Sequence, residues 1–428
     1  MTAFLGLAAL FAMLVIGVPV GFAMLISGSL GLWLMGGTRM VAGYLSTTPL
    51  ASTSSFELIT VPMFLLMAEL VILSGVATAL FQAAATWVGR VRGGLGVATA
   101  MAGAGFGAIC GSSTASAATL SATSVPAMLE RGYDPKVATG VVAISGTLAM
   151  LIPPSIALVL YAIIADQNIG ELLIGGILPG GLVFLTIAAT VWLIAYFDPE
   201  SAPAGRRYSL REKLASLKVA GPLIFLFVAV TGVIYLGIAT PTEAAGLGAT
   251  GALLLTLWMR KLNSTTLTRA LYQAASTTCM IFLILMGARV FGYFFTLTQI
   301  TQNLILFVEG MNLAPWVVLV FVLALYFVLG CFMDQAAILV LTVPVLLPLM
   351  LALGYDPIWF GVIVIVMAEI GLVTPPLGLN VFVVSKYTGR PLNEVFVGVA
   401  PHIAAHLIAV ALMCFFPQIV LWLPSQMY

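Results

Sequence analysis

Between Ala314 and Ser385 the chain contains no lysine and no arginine, and apolar stretches follow one another from residue 2 to residue 425. A run of roughly 20 apolar residues makes a helix that crosses a hydrocarbon core about 30 Å thick, with its backbone polar groups satisfied internally. At 62% hydrophobic and 7% charged residues in 428, the chain has far more apolar surface than a water-soluble domain can hide. The expected class is an all-α polytopic membrane protein. Segments such as 2–18, 20–36, 56–76, 77–91, 218–238 and 268–298 lead to an expectation of about ten full spans plus two shorter hairpins. An even number of spans leaves both termini on one side.

The same composition removes several classes of function. A net charge of +1 without a basic tract offers nucleic acid nothing to bind. Cys110, Cys279, Cys331 and Cys414 are scattered, forming neither a disulfide framework nor a metal knuckle. Thr2 to Ala23 has no basic leader, so a cleaved signal peptide is not expected. Gly246-Leu247-Gly248-Ala249-Thr250-Gly251 matches the dinucleotide pattern literally, yet no strand precedes it, and small residues in an apolar helix serve close packing. His402 and His406 stand at i, i+4 without the glutamate of a zinc-protease motif between them, so no metal site is expected. With no Walker motif and no serine nucleophile near a histidine, the chain reads as neither an enzyme nor an ATP-driven pump.

An internal repeat runs through the sequence at one constant step. Gly132-Tyr133-Asp134-Pro135 returns as Gly354-Tyr355-Asp356-Pro357, and Pro153-Pro154 returns as Pro375-Pro376, each 222 residues on. Pro19 with Pro241 and Pro126 with Pro348 keep the same register. The one strongly polar stretch, Asp198 to Lys218, holds eight of the 31 charges. It divides a first half, 1–197, from a second, 218–428, with 198–217 as a cytoplasmic linker.

Basic residues give the two halves opposite sidedness. The block 93–130 is flanked by Arg90, Arg92, Arg131 and Lys136, whereas the matching block 313–353 has no basic flank. By the positive-inside bias the first opens to the cytoplasm and the second to the outside. An inverted repeat of this kind marks secondary transporters with a site near the membrane midplane. Each block has a polar or glycine break in its middle and reads as a re-entrant hairpin. Each is followed by a segment, 136–165 or 357–387, interrupted by Pro-Pro. Proline lacks an N–H and clashes with the carbonyl four residues back, so such a break leaves oxygens free for a cation.

Two cation sites are expected. The first draws on Cys110, Ser112 and Ser113 with Ala149, Ile152 and Pro154; the second draws on Gly330, Asp334, Gly371, Thr374 and Leu377. Ser112, Ser113, Ser155, Asp334, Asn380 and Arg289 are the candidates for the substrate path. Glu69, Arg289, Asp334 and Glu369 fall inside apolar runs, where an ionisable group costs about 2.5 kcal/mol or more and marks function by default. Glu69 and Arg289 can equally be partners in a structural ion pair.

These residues resemble the large membrane subunit of the tripartite ATP-independent periplasmic (TRAP) transporters, over essentially the whole chain. The most specific pieces are Ala239-Thr240-Pro241-Thr242-Glu243-Ala244-Ala245, Ile152-Pro153-Pro154-Ser155, Thr374-Pro375-Pro376-Leu377-Gly378-Leu379-Asn380, Val61-Pro62-Met63-Phe64 with Glu69, and the Gly111-Ser112-Ser113 tip. The resemblance implies an elevator-type importer of organic acids in a bacterial or archaeal inner membrane. It implies Na⁺ as the coupling ion, no further cofactor, a periplasmic substrate-binding protein and a small four-helix membrane subunit. At 428 residues that subunit is expected as a separate chain. One departure is Ala149, where the repeat mate is Gly371. The alternative is an inverted-repeat carboxylate/Na⁺ symporter that works without a binding protein.

Overall fold

The computed structural model describes residues 2–427, and the described residues form helices and turns without a strand. In chain order the first four helices are α1 (Thr2–Val15), α2 (Val20–Thr53), α3 (Thr60–Ser74) and α4 (Val76–Val88). Then come α5 (Gly94–Cys110), α6 (Ser113–Leu129), α7 (Pro135–Ser145), α8 (Ile156–Ala165), α9 (Ile169–Gly175) and α10 (Ile177–Phe197). After the polar linker follow α11 (Leu210–Tyr235), α12 (Pro241–Trp258), α13 (Ser264–Leu297) and α14 (Ile300–Gly310). The chain closes with α15 (Pro315–Gly330), α16 (Gln335–Ala352), α17 (Pro357–Gly371), α18 (Leu379–Thr388), α19 (Leu392–Phe415) and α20 (Gln418–Leu421).

Six of the described helices are long and apolar enough to cross a membrane: α2, α3 with the 3₁₀ turn before it, α9 with α10, α13, α16 and α19. Taking the polar first turns of α11 together with its apolar remainder makes a seventh. Six further apolar helices are only 10–17 residues long, so the ten or so expected spans are not all single unbroken helices. The end of the second segment expected at residue 36 coincides with non-helical backbone at Gly36 and Gly37, and a further helical stretch runs from there to Thr53. Gly37 takes φ 68°, which only glycine adopts at no steric cost.

Two bodies of helices are distinguishable by their packing. In the first, α2 lies along α13, α3 along α12, and α11 bridges α4 and α12. Small residues set the α2/α13 distance: a Cβ on Gly28 would stand 2.9 Å from the Phe291 backbone, and one on Gly21 3.0 Å from that of Ile284. Gly248, in the literal dinucleotide pattern, lies inside α12 with the Met67 sulfur against it, a packing contact and not a phosphate loop.

In the second body α5 and α6 form a hairpin packed on α7, and α15 and α16 form one packed on α17. Each hairpin also reaches into the other half, α6 against α18 and α16 against α8. The helix starts keep the 222 step, Ser113 with Gln335 and Pro135 with Pro357. So do their caps. Asp134 and Asp356 each accept an N–H two residues on, at 2.7 and 2.8 Å. Ser112 and Asp334 each accept one three residues on, at 3.4 and 3.0 Å. These are the short polar side chains that satisfy first-turn donors.

The linker is clipped to the base of the first hairpin. Gly93 N–H donates to the Ala202 carbonyl at 3.0 Å, and Asp134 N–H to the Ser201 carbonyl at 2.9 Å. Gly205 N–H reaches the Gly89 carbonyl at 2.8 Å. Ser201 and Ala202 are buried despite lying in the most polar part of the sequence. Ser209 and Glu212 then start α11 with a reciprocal capping box. The two Ser209 donors hold the Glu212 carboxyl below its ordinary value.

Candidate functional site

At the first hairpin α5 ends on Cys110, Gly111 takes a left-handed φ of 58°, and Ser112 is extended. The chain reverses in these two residues. Glycine is required at 111 because a Cβ there would also stand 3.0 Å from Ile156. The tip lies on the interruption of the following helix, where 3₁₀ backbone over Gly146–Met150 gives way to Pro153-Pro154. A Cβ on Gly107 would come within 2.7 Å of the Ala149 backbone, and one on Gly146 within 2.7 Å of the Ser113 carbonyl. The end of α5 and the start of α6, which carry Cys110 and Ser113, thus both pack on the 3₁₀ segment that carries Ala149. Ile152 points its side chain over Gly180 of α10, leaving the backbone as its only polar offering. Pro153, Pro154 and Ser155 are buried. Ser155 donates to the Met150 carbonyl at 2.5 Å and caps α8 at Leu158.

At the second hairpin Gly330 and Gly371 meet backbone to backbone, a Cβ on Gly330 standing 2.9 Å from the Gly371 Cα. Thr374 closes the end of α17, its hydroxyl donating to the Ile370 carbonyl at 2.6 Å and its N–H to the Gly371 carbonyl at 2.9 Å. Asp334 is exposed, and its carboxylate caps α16 at Ala337. Pro375, Pro376 and Leu377 are exposed where Pro153, Pro154 and Ser155 are not. The first break is enclosed and the second lies open. Asn380, buried at the start of α18, has both side-chain amide atoms unpartnered, as does Gln335 at the start of α16.

The ionisable residues do not pair as the sequence allowed. The basic side chain acting on Glu69 is Arg269, and Glu69 itself lies near Cys110 at the first tip. Arg289, on α13, donates from Nη1 to the Ala51 carbonyl at 2.8 Å. It faces two cavities of about 410 and 540 Å³, which also share Ile163 and Asp166 at the end of α8. Arg289 is therefore well placed to meet an anion but not to neutralise Glu69. Glu369 is 1% exposed on α17, with both carboxyl oxygens unpartnered and Ser113 the polar side chain approaching it. Spacing along the chain gave no sign of that approach, because the two residues come from different halves.

His402 and His406 are buried one turn apart on α19, and His406 Nδ1 lies 3.3 Å from the Thr186 hydroxyl. No group of three or more metal-ligating side chains occurs among the described residues.

Interrupted apolar helices, each met by a hairpin tip inside a bundle of spans, define a polytopic membrane transporter. The Alcanivorax borkumensis YdaH transporter shares this fold, with a TM-score of 0.65 over 90% of both chains at 14% identity. Residues 7–419 match the family described as the tripartite ATP-independent periplasmic transporter, DctM component, and the chain belongs to that family. It is similar to a C4-dicarboxylate TRAP transporter large permease of Pseudomonas aeruginosa, 35% identical over 87% of each chain. The sialic acid large permease of Vibrio cholerae is 32% identical, over 96% of this chain and 95% of that one. The ectoine large permease of Halomonas elongata is 31% identical over 97% of each. The chain is accordingly a transporter subunit of the inner membrane and crosses it several times.

Proposed function

We propose that this chain is the large membrane subunit of a Na⁺-coupled importer of organic acids, C4-dicarboxylates or sugar acids among them. A periplasmic binding protein delivers the substrate, and a separate small four-helix subunit completes the membrane complex. Residues 1–197 and 218–428 are the two inverted halves, 93–130 and 313–353 dip into the membrane as re-entrant hairpins, and 198–217 is the cytoplasmic linker. The body formed by α5–α10 and α15–α19 moves as an elevator against the body formed by α2, α3 and α11–α13.

The observation that carries this reading is the repeated contact between a hairpin tip and an interrupted helix, Gly107 on Ala149 in one half and Gly330 on Gly371 in the other. Interrupted helices present carbonyl and hydroxyl oxygens with little charge, the ligand set of a hard monovalent cation. Cys110, Ser112, Ser113, Ala149, Ile152 and Pro154 form one Na⁺ site. Gly330, Asp334, Gly371, Thr374 and Leu377 form the other. Arg289 offers the substrate carboxylate a guanidinium on the stationary body.

Reconstituted with its two partners and an imposed Na⁺ gradient, the complex accumulates substrate, and the purified chain alone does not. Equal uptake from Na⁺-free buffer under a proton gradient overturns the coupling. Transport by the chain alone overturns the partnership and favours the symporter that needs no binding protein.

A further inference from the structure

Glu369 is the one carboxylate among the described buried residues. It lies two residues before Gly371, in the helix that leads into the second break, yet the polar side chain approaching it is Ser113 of the first hairpin tip. Apart from that Ser113 hydroxyl, which approaches without closing a hydrogen bond of good geometry, neither carboxyl oxygen has a polar partner, and neither of the two ion pairs among the described residues involves it. A buried carboxyl group stays charged only when a positive charge or a metal ion compensates its desolvation, and otherwise takes up a proton. No lysine or arginine is buried with it.

The repeat makes the placement more telling. One step of 222 residues back from Glu369 stands Thr147, and one step on from Ser113 stands Gln335. The equivalent positions at the second tip therefore carry a hydroxyl and a neutral amide. The second site's own carboxylate, Asp334, is exposed and caps a helix. A buried carboxyl group is supplied to the first tip alone, and by the opposite half of the chain.

We propose that Glu369 is the anionic ligand of the monovalent cation held at the first hairpin tip, reaching across from the second half to sit with Ser113. This rests on the cation-coupled reading above and adds to it a charge that makes the two sites unequal. The first site binds Na⁺ more tightly than the second. Because the same helix turn carries Glu369 and Gly371, loading one site orients a backbone ligand of the other.

The test uses the complex of this chain with its small subunit, measuring radiolabelled Na⁺ binding and Na⁺-dependent thermal stabilisation, then Na⁺ carried per substrate in liposomes. Glu369→Gln is expected to weaken the tighter Na⁺ site at least tenfold and to lower the coupled Na⁺ count by one. Glu369→Asp keeps the charge but withdraws it from Ser113, and is expected to weaken that site three- to tenfold. If Glu369→Gln does not assemble, Glu369→Asp alone decides. A Na⁺-responsive wild type whose Glu369 variants bind Na⁺ with unchanged affinity and count overturns this inference and leaves the parent reading standing. A wild type that binds no Na⁺ overturns both.

Discussion

Tyr161 donates its phenol proton to the carbonyl of Pro357 at 2.7 Å, joining the middle of α8 in the first half to the first residue of α17 in the second. The ring also fills the space a side chain at Gly361 would need. The bond therefore fixes where the second interrupted helix begins relative to the first. Tyr161→Phe keeps the ring and removes only the hydroxyl. Losing one buried hydrogen bond costs about 1 to 3 kcal/mol when a carbonyl is left unsatisfied. Thermal unfolding of the purified protein is expected to shift down accordingly, and an unchanged midpoint refutes the coupling.

Gly140 of α7 and Gly398 of α19 approach so closely that a Cβ on either meets the other helix's backbone, at Gly398 or at Lys136. Backbone cannot swing aside as a side chain can. Gly140→Ala is expected to cost about 1 to 3 kcal/mol through overpacking. Gly181→Ala in α10, where nothing lies within 4 Å, is the matched control and should be neutral or slightly stabilising through helix propensity. Equal thermal midpoints for the two variants contradict the packing argument.

The hydroxyl of Thr374 is committed as a donor to Ile370, which leaves its oxygen lone pairs available to a cation. Thr374→Val deletes that oxygen at nearly constant shape. Losing one ligand of hydrogen-bond strength, about 1 to 3 kcal/mol, corresponds to roughly tenfold or more in apparent Na⁺ affinity. Ile152→Val at the matching position should be nearly silent, since only its carbonyl is recruited. Na⁺ titration of uptake separates the two, and an unaltered titration in Thr374→Val removes the hydroxyl from the ligand set.

Glu212 gives a prediction in pH. Its carboxyl is held below the ordinary value of 4.5, first by the Ser209 backbone N–H and then by the Ser209 hydroxyl. A pKa lowered by folding contributes stability above the unfolded value, and that contribution is lost as pH falls through the folded one. The capping box should thus be intact at neutral pH and dissolve only in acid, below the range where ordinary glutamates titrate. Carbon NMR of the labelled side chain should show a midpoint under that of a free glutamate, and a midpoint at or above it contradicts the cap.

How much of this was legible beforehand follows from what each signal reports. Glycine and proline act on their own backbone, so the turn at Gly111 and the two Pro-Pro interruptions stand where the sequence put them. Gly36 and Gly37 break the helix where the sequence ended the segment, but none of the sequence signals above marks the second helical stretch that follows to Thr53. The 222-residue step shows which positions correspond but not which ones touch across the halves. The neighbours Glu69 with Arg269 and Glu369 with Ser113 both escaped it. Asp334 stands out in the sequence by its charge, and only the structure shows that, like its repeat mate Ser112, it also caps the helix that follows it.

If the chain works by the elevator movement proposed above, the clips at Gly93, Asp134 and Gly205 set how far one body travels past the other. With Ser201 and Ala202 bound to the hairpin base, the slack between that hairpin and the first turn of α11 is the stretch 203–209. Seven residues drawn straight reach no more than about 25 Å, and the bond from Gly205 to Gly89 shortens that until it opens. The linker is in this sense a leash of known length. Deleting residues from it should truncate the stroke before it weakens any binding site.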